Sequence, residues 1–217
     1  MSNHSHLFTS LDSSGEYQDR ELEKVQAEKL LNSLFPHQRD LVTDPSEYKA
    51  ALCPRRAGKS RCILVYALHT ALTIPDSKIL VLARVMRQAR GVYWNEVKKI
   101  CRDFAIKAHF RNMPLNIELP NGSFIQFGGA DTSEEVDKYR GQGFDLVAVD
   151  ECKSYPLPLL RELLLEVIEP ALLDRRGSLV LIGTPGPVMG GPFYAVTTGD
   201  VEAVSYTHLT LPTIYSV

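Results

Sequence analysis

Apolar positions along the chain recur with two periods. Between residues 16 and 34, EYQDRELEKVQAEKLLNSL, the side chains Leu22, Val25, Leu30, Leu31 and Leu34 fall at near-helical spacing among charges. That spacing predicts an amphipathic helix ending at Phe35-Pro36. Tyr48 to Cys53 is a short apolar run before Pro54 and predicts a buried strand. Lys59 to Thr73 predicts a helix closed by Pro75-Asp76. Lys78 to Ala83, KILVLA, has the length of a second buried strand, and Met86 to Phe104 is helical with Val92, Val97, Ile100 and Phe104 facing inward.

Leu115 to Leu119 and Ser123 to Phe127 flank Asn121-Gly122, the strongest short-range hairpin signal. A polar stretch runs from Gly128 to Gly143. After it, Asp145 to Val149 predicts a third buried strand, Leu157 to Leu173 a helix divided by Pro170, and Ser178 to Gly183 a fourth buried strand ending in Thr184-Pro185-Gly186. Apolar strands alternating with helices predict an α/β fold whose mostly parallel sheet is covered on both faces.

The 217 residues, 44% hydrophobic and 23% charged, suit one soluble globular core and exclude collagen-like, mucin-like and largely disordered chains. The longest apolar run, Cys62 to Ile74, is interrupted by His69 and falls short of the ~20 residues of a membrane span. Met1 to Gly15 has no basic n-region and no apolar h-region, so the reading is a cytosolic protein, neither secreted nor membrane-bound. Four cysteines without a C-x-x-C pair and six scattered histidines argue against a disulfide framework and a zinc site. A net charge of −2 argues against coating nucleic acid by bulk charge. It leaves room for a local basic face, and Arg84, Arg87, Arg90, Lys98, Lys99 and Arg102 are such a concentration.

The end of the chain reads differently. Val204 to Thr213, VSYTHLTLPT, is what GTC TCT TAT ACA CAT CTG ACG CTG CCG ACG encodes, and that DNA resembles a transposase adapter used in sequencing libraries. Residues 204–217 are therefore set aside as a non-native tail, with the natural frame expected to be cut near Ala203; a native terminal β segment is the alternative.

Candidate chemistry gathers at three strand ends. Cys53-Pro54-Arg55-Arg56-Ala57-Gly58-Lys59-Ser60 lies between a strand and a helix and completes the second half of a phosphate-loop pattern, with Cys53 where the first glycine would stand. A loop turning into a helix start points backbone N–H groups at an anion. Lys59 then reaches the β- and γ-phosphates, with the Ser60 hydroxyl on Mg²⁺. A surface turn with a solvated lysine is the plainer alternative. Next, Leu146-Val147-Ala148-Val149-Asp150-Glu151 sets two acids at a strand's carboxyl end, where ligands of open α/β sheets bind. Asp150 is placed to hold Mg²⁺ directly or through water, and Glu151 to orient and deprotonate the attacking water; a strand ending in two solvated acids is the plainer alternative. Third, Thr184 follows Leu181-Ile182-Gly183 and is placed to sense the γ-phosphate, a simple turn being the equal alternative. Upstream, Gln38 in Phe35-Pro36-His37-Gln38-Arg39 can pair with adenine N6 and N7, although a helix-capping role explains it nearly as well.

In chain order, H-Q-R, R-R-A-G-K-S, L-A-R-V-M-R-Q-A-R, K-Y-R-G-Q-G-F-D-L-V-A-V-D-E and L-I-G-T-P-G resemble the ATPase half of a large terminase subunit, the DNA-packaging motor of tailed bacteriophages. The resemblance covers about residues 34–194. It implies a three-layer, RecA-like P-loop NTPase fold of the additional-strand type, with ATP and Mg²⁺ as cofactors. By motif it implies Gln38 at the adenine, Arg55 or Arg56 as the loop arginine, Ala57, Gly58, Lys59 and Ser60 on the phosphates, Asp150 and Glu151 as the acidic motif, and Gly183-Thr184-Pro185 as the coupling motif. It further implies double-stranded DNA, a portal protein and a small terminase subunit as partners, a homo-oligomeric ring, and work in the host cell cytoplasm. Arg140 is the candidate for an arginine acting in trans, and Arg87 and Arg90 for DNA contact. The division expected is a helical segment over 1–35, an ATPase domain over 36–203, the tail, and no nuclease domain. Two rivals stay open: a superfamily-two helicase-like ATPase, although Cys152-Lys153 follows the acids where a D-E-x-H/D box has His or Asp, and a non-catalytic fragment or assembly module.

Overall fold

The structure, a computed structural model, describes residues 12–184 and 207–209. Pro185, Gly186 and most of the tail lie outside the described residues. In chain order the elements are α1 (Asp12–Asn32), α2 (Pro36–Thr43), β1 (Tyr48–Leu52), α3 (Lys59–Thr73), β2 (Lys78–Ala83), α4 (Met86–Gln88), a π-helical turn (Ala89–Trp94) and α5 (Asn95–Asp103). Then follow β3 (His109–Asn112), β4 (Leu115–Glu118), β5 (Phe124–Gly129), α6 (Ser133–Asp137) and β6 (Leu146–Val149). A 3₁₀ turn (Cys152–Ser154), α7 (Leu157–Arg161), a second π-helical turn (Glu162–Ile168), α8 (Glu169–Leu173), β7 (Ser178–Gly183) and β8 (Thr207–Leu209) complete the series.

The strands form one sheet in the order β3-β4-β5-β2-β6-β7-β1-β8, and only the pairings of β4 are antiparallel. β7 lies between β1 and β6, with Leu52 opposite Gly183 and Val149 opposite Leu181. An additional strand therefore separates the strand that leads into the loop from the strand that carries the two acids. β8 adds three residues of the tail beside β1 by backbone pairing, which any extended segment can offer to a sheet edge.

Alternation along each strand divides the core in two. Ala51, Ile79, Val81, Ala148, Val180 and Ile182 face α1, α3 and the π turn before α5, where they meet Leu30, Leu64, Leu68 and Tyr93. Ala50, Leu80, Leu82, Val147, Val149 and Leu181 face the layer of α6 to α8, where they meet Val136, Leu163 and Ile168. Strands buried on both sides explain the unbroken apolar runs in the sequence. The four cysteines are buried free thiols.

Local expectations need correction in six places. Leu22 and Val25 are exposed, and α1 instead buries Gln26, Ala27 and Leu30, with Gln26 Nε2 donating to the Ala105 carbonyl at 2.7 Å. Met86 to Phe104 is not a uniform helix: the π turn re-phases it, so Val92 faces solvent while Ala89, Tyr93, Trp94 and Val97 are buried. Pro170 does not divide Leu157 to Leu173. The wider winding of Glu162–Ile168 relaxes the i→i−4 ladder just before it, and the helix continues as α8. The polar stretch holds α6, capped by the Thr132 hydroxyl accepting from Glu135 N–H. Phe35 to Arg39 opens a full helix, α2, and β3 pairs antiparallel with β4 in a second hairpin.

Candidate functional site

The carboxyl ends of β1, β6 and β7 open at one edge of the sheet, and the segments that leave them line a hollow of about 480 Å³. Its walls are Arg55, Arg56, Lys59, Gln88, Glu151, Lys153, Ser154 and Thr184. Polar side chains of both charge signs thus meet in a space large enough for a nucleotide's phosphates.

The loop at β1 owes its shape to two left-handed residues. Cys53 still belongs to the sheet, its N–H donating to the Gly183 carbonyl at 2.9 Å, so the position that commonly holds a glycine needs none here. The tight backbone comes later, at Arg56 (φ 63°) and Gly58 (φ 74°), the residue that caps α3. A Cβ at Gly58 would lie 2.7 Å from Gln38 Nε2. Gly58→Ala is therefore expected to lose about 1–2 kcal/mol of stability from the left-handed backbone alone, measured by urea unfolding, and to loosen the loop. An unchanged unfolding midpoint would contradict this account.

Gln38 is buried and holds the loop from behind. Its Nε2 donates to the Ala57 carbonyl at 2.9 Å, and its Oε1 accepts from Phe35 N–H at 3.2 Å. Both ends of the amide that the sequence assigns to adenine are thus bonded to protein, and pairing with a base requires exchanging one of these bonds. Lys59 Nζ lies over the loop and donates to the Pro54 carbonyl at 3.3 Å. Ser60 follows at the first turn of α3 and is partly exposed.

The acids at β6 are held differently from one another. Asp150 is buried, and burial raises its carboxyl above the usual range, opposed by hydrogen bonds from Tyr93 and the Glu151 N–H and by the nearby charge of Lys59. Its Oδ2 accepts from the Tyr93 hydroxyl and its Oδ1 from Glu151 N–H at 2.8 Å. Glu151 is half-buried with φ 50°, a left-handed conformation costly for a side-chain-bearing residue and characteristic of functional sites. The 3₁₀ turn after it fixes that conformation: Ser154 N–H and Oγ both donate to the Glu151 carbonyl, at 2.8 and 2.7 Å. Thr184, at the end of β7, donates from Oγ1 to Glu151 Oε1 at 3.2 Å.

The structure therefore gathers Arg55, Arg56, Lys59, Glu151 and Thr184 on one hollow, with Asp150 buried next to Glu151. Arg140 does not line it: Nε pairs with Asp137 at 3.0 Å, and NH1 donates to the Glu166 carbonyl at 3.2 Å. Arg87 is exposed, while Arg90 NH2 donates to the Asn112 carbonyl at 2.9 Å. Sequence reasoning missed Gln88, Tyr93, Lys153 and Ser154 as parts of the site. Only the position of Lys153 and Ser154 close behind the acids hinted at them.

Among the described residues no group of three or more His, Cys, Asp or Glu side chains is placed to hold a metal by itself. The oxygen donors near the hollow fit the mode in which Mg²⁺ binds, through one or two protein oxygens and substrate phosphates. No described helix is long and apolar enough to cross a membrane.

Comparison with known proteins gives a family and a fold. The family described as terminase large subunit, T4likevirus-type, N-terminal, matches residues 51–164. No curated protein matches the chain. Among solved structures, the ATPase domain of the large terminase of Thermus phage P74-26 is similar at a TM-score of 0.64 and 22% identity, over 78% of this chain and 71% of that one. The large terminase of a thermophilic bacteriophage, solved in complex with ADP, is similar at 0.64 and 14% identity, over 82% of this chain and 45% of that one. That same thermophilic-phage protein has also been solved with ATP-γ-S. The large terminase of bacteriophage HK97 is similar at 0.62 and 16% identity, over 77% of this chain and 36% of that one. The chain thus spans less than half of each of these last two proteins.

Proposed function

Because the chain belongs to the family of T4-like-virus-type terminase large subunits, matching its N-terminal part, we propose that it binds ATP and Mg²⁺ in the hollow between β1, β6 and β7 and hydrolyses the nucleotide to drive double-stranded DNA into a procapsid. The observation that carries this reading is the convergence of Lys59, Glu151 and Thr184 on one hollow at the strand ends. The nucleotide complexes of the thermophilic-phage terminase support it.

Phosphoryl transfer needs chiefly positioning and neutralised charge. Lys59 exchanges the Pro54 carbonyl for the β- and γ-phosphates, and the N–H groups from Ala57 to Ser60 close around them. Arg55 and Arg56, exposed on the same wall, add the loop's further positive charge. Ser60 Oγ and Asp150 would hold Mg²⁺, which when bound neutralises phosphate charge and polarises the γ-phosphoryl group. Glu151 takes the proton of the attacking water. Thr184 is bonded to that carboxylate, so loss of the γ-phosphate is transmitted along β7 through Thr184. Gln38 joins the adenine to the loop by exchanging one of its two protein bonds. Arg140, on the outer face of the helical layer, serves a neighbouring subunit of a ring, and Arg87 meets DNA phosphates beside Arg90.

On this reading residues 1–35 are the N-terminal helical segment, residues 36–203 the ATPase domain and residues 204–217 the adapter-derived tail. The motor meets a portal protein and a small terminase subunit in the host cytoplasm. The family match does not favour the superfamily-two helicase reading or the non-catalytic one. A fluorescent ATP analogue is expected to bind more tightly with Mg²⁺ than without, and added DNA to raise phosphate release. Absence of both effects would overturn the proposal, whereas binding without turnover would favour an inert fragment.

A further inference from the structure

Tyr93 has no part in the chemistry above, yet it is fully buried and its hydroxyl reaches Asp150. Its ring is stacked against Phe127 with centroids 6.1 Å apart. A phenylalanine would pack in that place equally well, so apolar packing leaves the hydroxyl without a reason. The winding of the chain supplies one. A regular helix through Met86–Phe104 would turn Val92 inward, and the π turn instead brings Tyr93 into the core beneath β6. Single π turns inside helices recur at functional sites, because the added residue re-aims one side chain at a cost to the ladder.

The carboxylate of Asp150 is fixed from both sides. Tyr93 donates to Oδ2 and Glu151 N–H donates to Oδ1, which sets the plane of the group while leaving a free lone pair on each oxygen. Carboxylates that bind metals are themselves held by hydrogen bonds of this kind, and removal of such a partner typically lowers metal affinity 10–100-fold.

We propose that Tyr93 is a positioning residue that orients Asp150 toward Mg²⁺, and that the π turn Ala89–Trp94 exists to deliver it. The inference rests on the nucleotide reading of the hollow and adds to it a residue that no motif contains, three positions past Arg90. Gln88, immediately before the π turn, lines the hollow, and Trp94, immediately after Tyr93, donates to Asn112 Oδ1 at 2.8 Å. The turn therefore lies between the nucleotide wall and the β3 hairpin.

The test is a Mg²⁺ titration of the whole chain at fixed labelled ADP, with binding followed by the nucleotide label and by the fluorescence of Trp94, the single tryptophan. Tyr93→Phe should raise the Mg²⁺ midpoint about tenfold in both signals and leave Mg²⁺-free nucleotide affinity unchanged. Phe127→Leu disturbs the same ring stack without touching the hydroxyl; it should lower the melting temperature and keep the parent's midpoint. A Tyr93→Phe midpoint equal to the parent's, or a Phe127→Leu midpoint shifted as far as that of Tyr93→Phe, would overturn the assignment. A parent chain whose nucleotide binding ignores Mg²⁺ would overturn the underlying reading instead.

Discussion

Glu151→Gln is expected to lower steady-state ATP hydrolysis by about 10²–10⁴-fold, the range for loss of a positioned general base, while ATP still binds with the parent's affinity. The substitution keeps volume and shape. The amide oxygen can still accept from Thr184, and the left-handed backbone at this position is held by Ser154 through the main-chain carbonyl, which the substitution does not touch. What is lost is the carboxylate's charge and with it the capacity to take a proton. Parallel measurement of nucleotide binding and phosphate release at saturating ATP decides the matter. Turnover comparable to the parent's would remove Glu151 from the chemistry and leave it as a structural partner of Thr184.

Lys59→Ala should damage binding and turnover together. The ammonium's charge acts on Asp150, and its present partner is a backbone carbonyl 3.3 Å away. A hydrogen bond to a charged group contributes about 1.5–3 kcal/mol, so ATP affinity should fall by about ten- to a hundredfold. The rate at saturating ATP should fall by about 10²–10³-fold, as on removing one donor from a developing oxyanion. The melting temperature should barely move, because Lys59 is partly exposed and a substitution away from the core changes stability by about 0.5 kcal/mol or less. A variant with weak binding but normal maximal rate would show that Lys59 recognises the ground state alone.

Legibility in the sequence followed the bounding residues. The runs 59–73, 78–83 and 178–183 are sharply delimited by Gly, Pro and Asp, and the elements occupy those residues. The alternation of strands and helices correctly implied a mostly parallel sheet. β3 was hidden because His109–Asn112 is a largely exposed edge strand with no apolar period. α2 was hidden by Pro36, which breaks a preceding helix and equally well begins the next. The π turns were invisible because a template of 3.6 residues per turn assigns Val92 the place that Tyr93 takes. At the site, motifs supplied Asp150, Glu151 and Thr184, each adjacent in sequence to a strand end, and Lys59, which opens α3 at the end of the loop that leaves β1. The bonds of Tyr93 to Asp150 and of Gln38 to Ala57 join distant segments and depend on the sheet order, which no local spacing encodes.

Both neighbours of β1 come from later in the chain: β7 on one side and β8 on the other. As the polypeptide emerges from the ribosome, Tyr48–Leu52 and the turn after it appear early and then wait, unframed, while α3 to α8 are made. Registry between Tyr48 and Leu179 closes a long loop, an entropic toll deferred until nearly every other parallel ladder can already have zipped. Synthesis and assembly thus run in opposite orders here. A nascent chain halted before Ser178 would own the phosphate-loop residues yet have no Gly183 carbonyl to anchor Cys53 and no Thr184 to meet Glu151. Competence to grip a nucleotide arrives only with the last central strand.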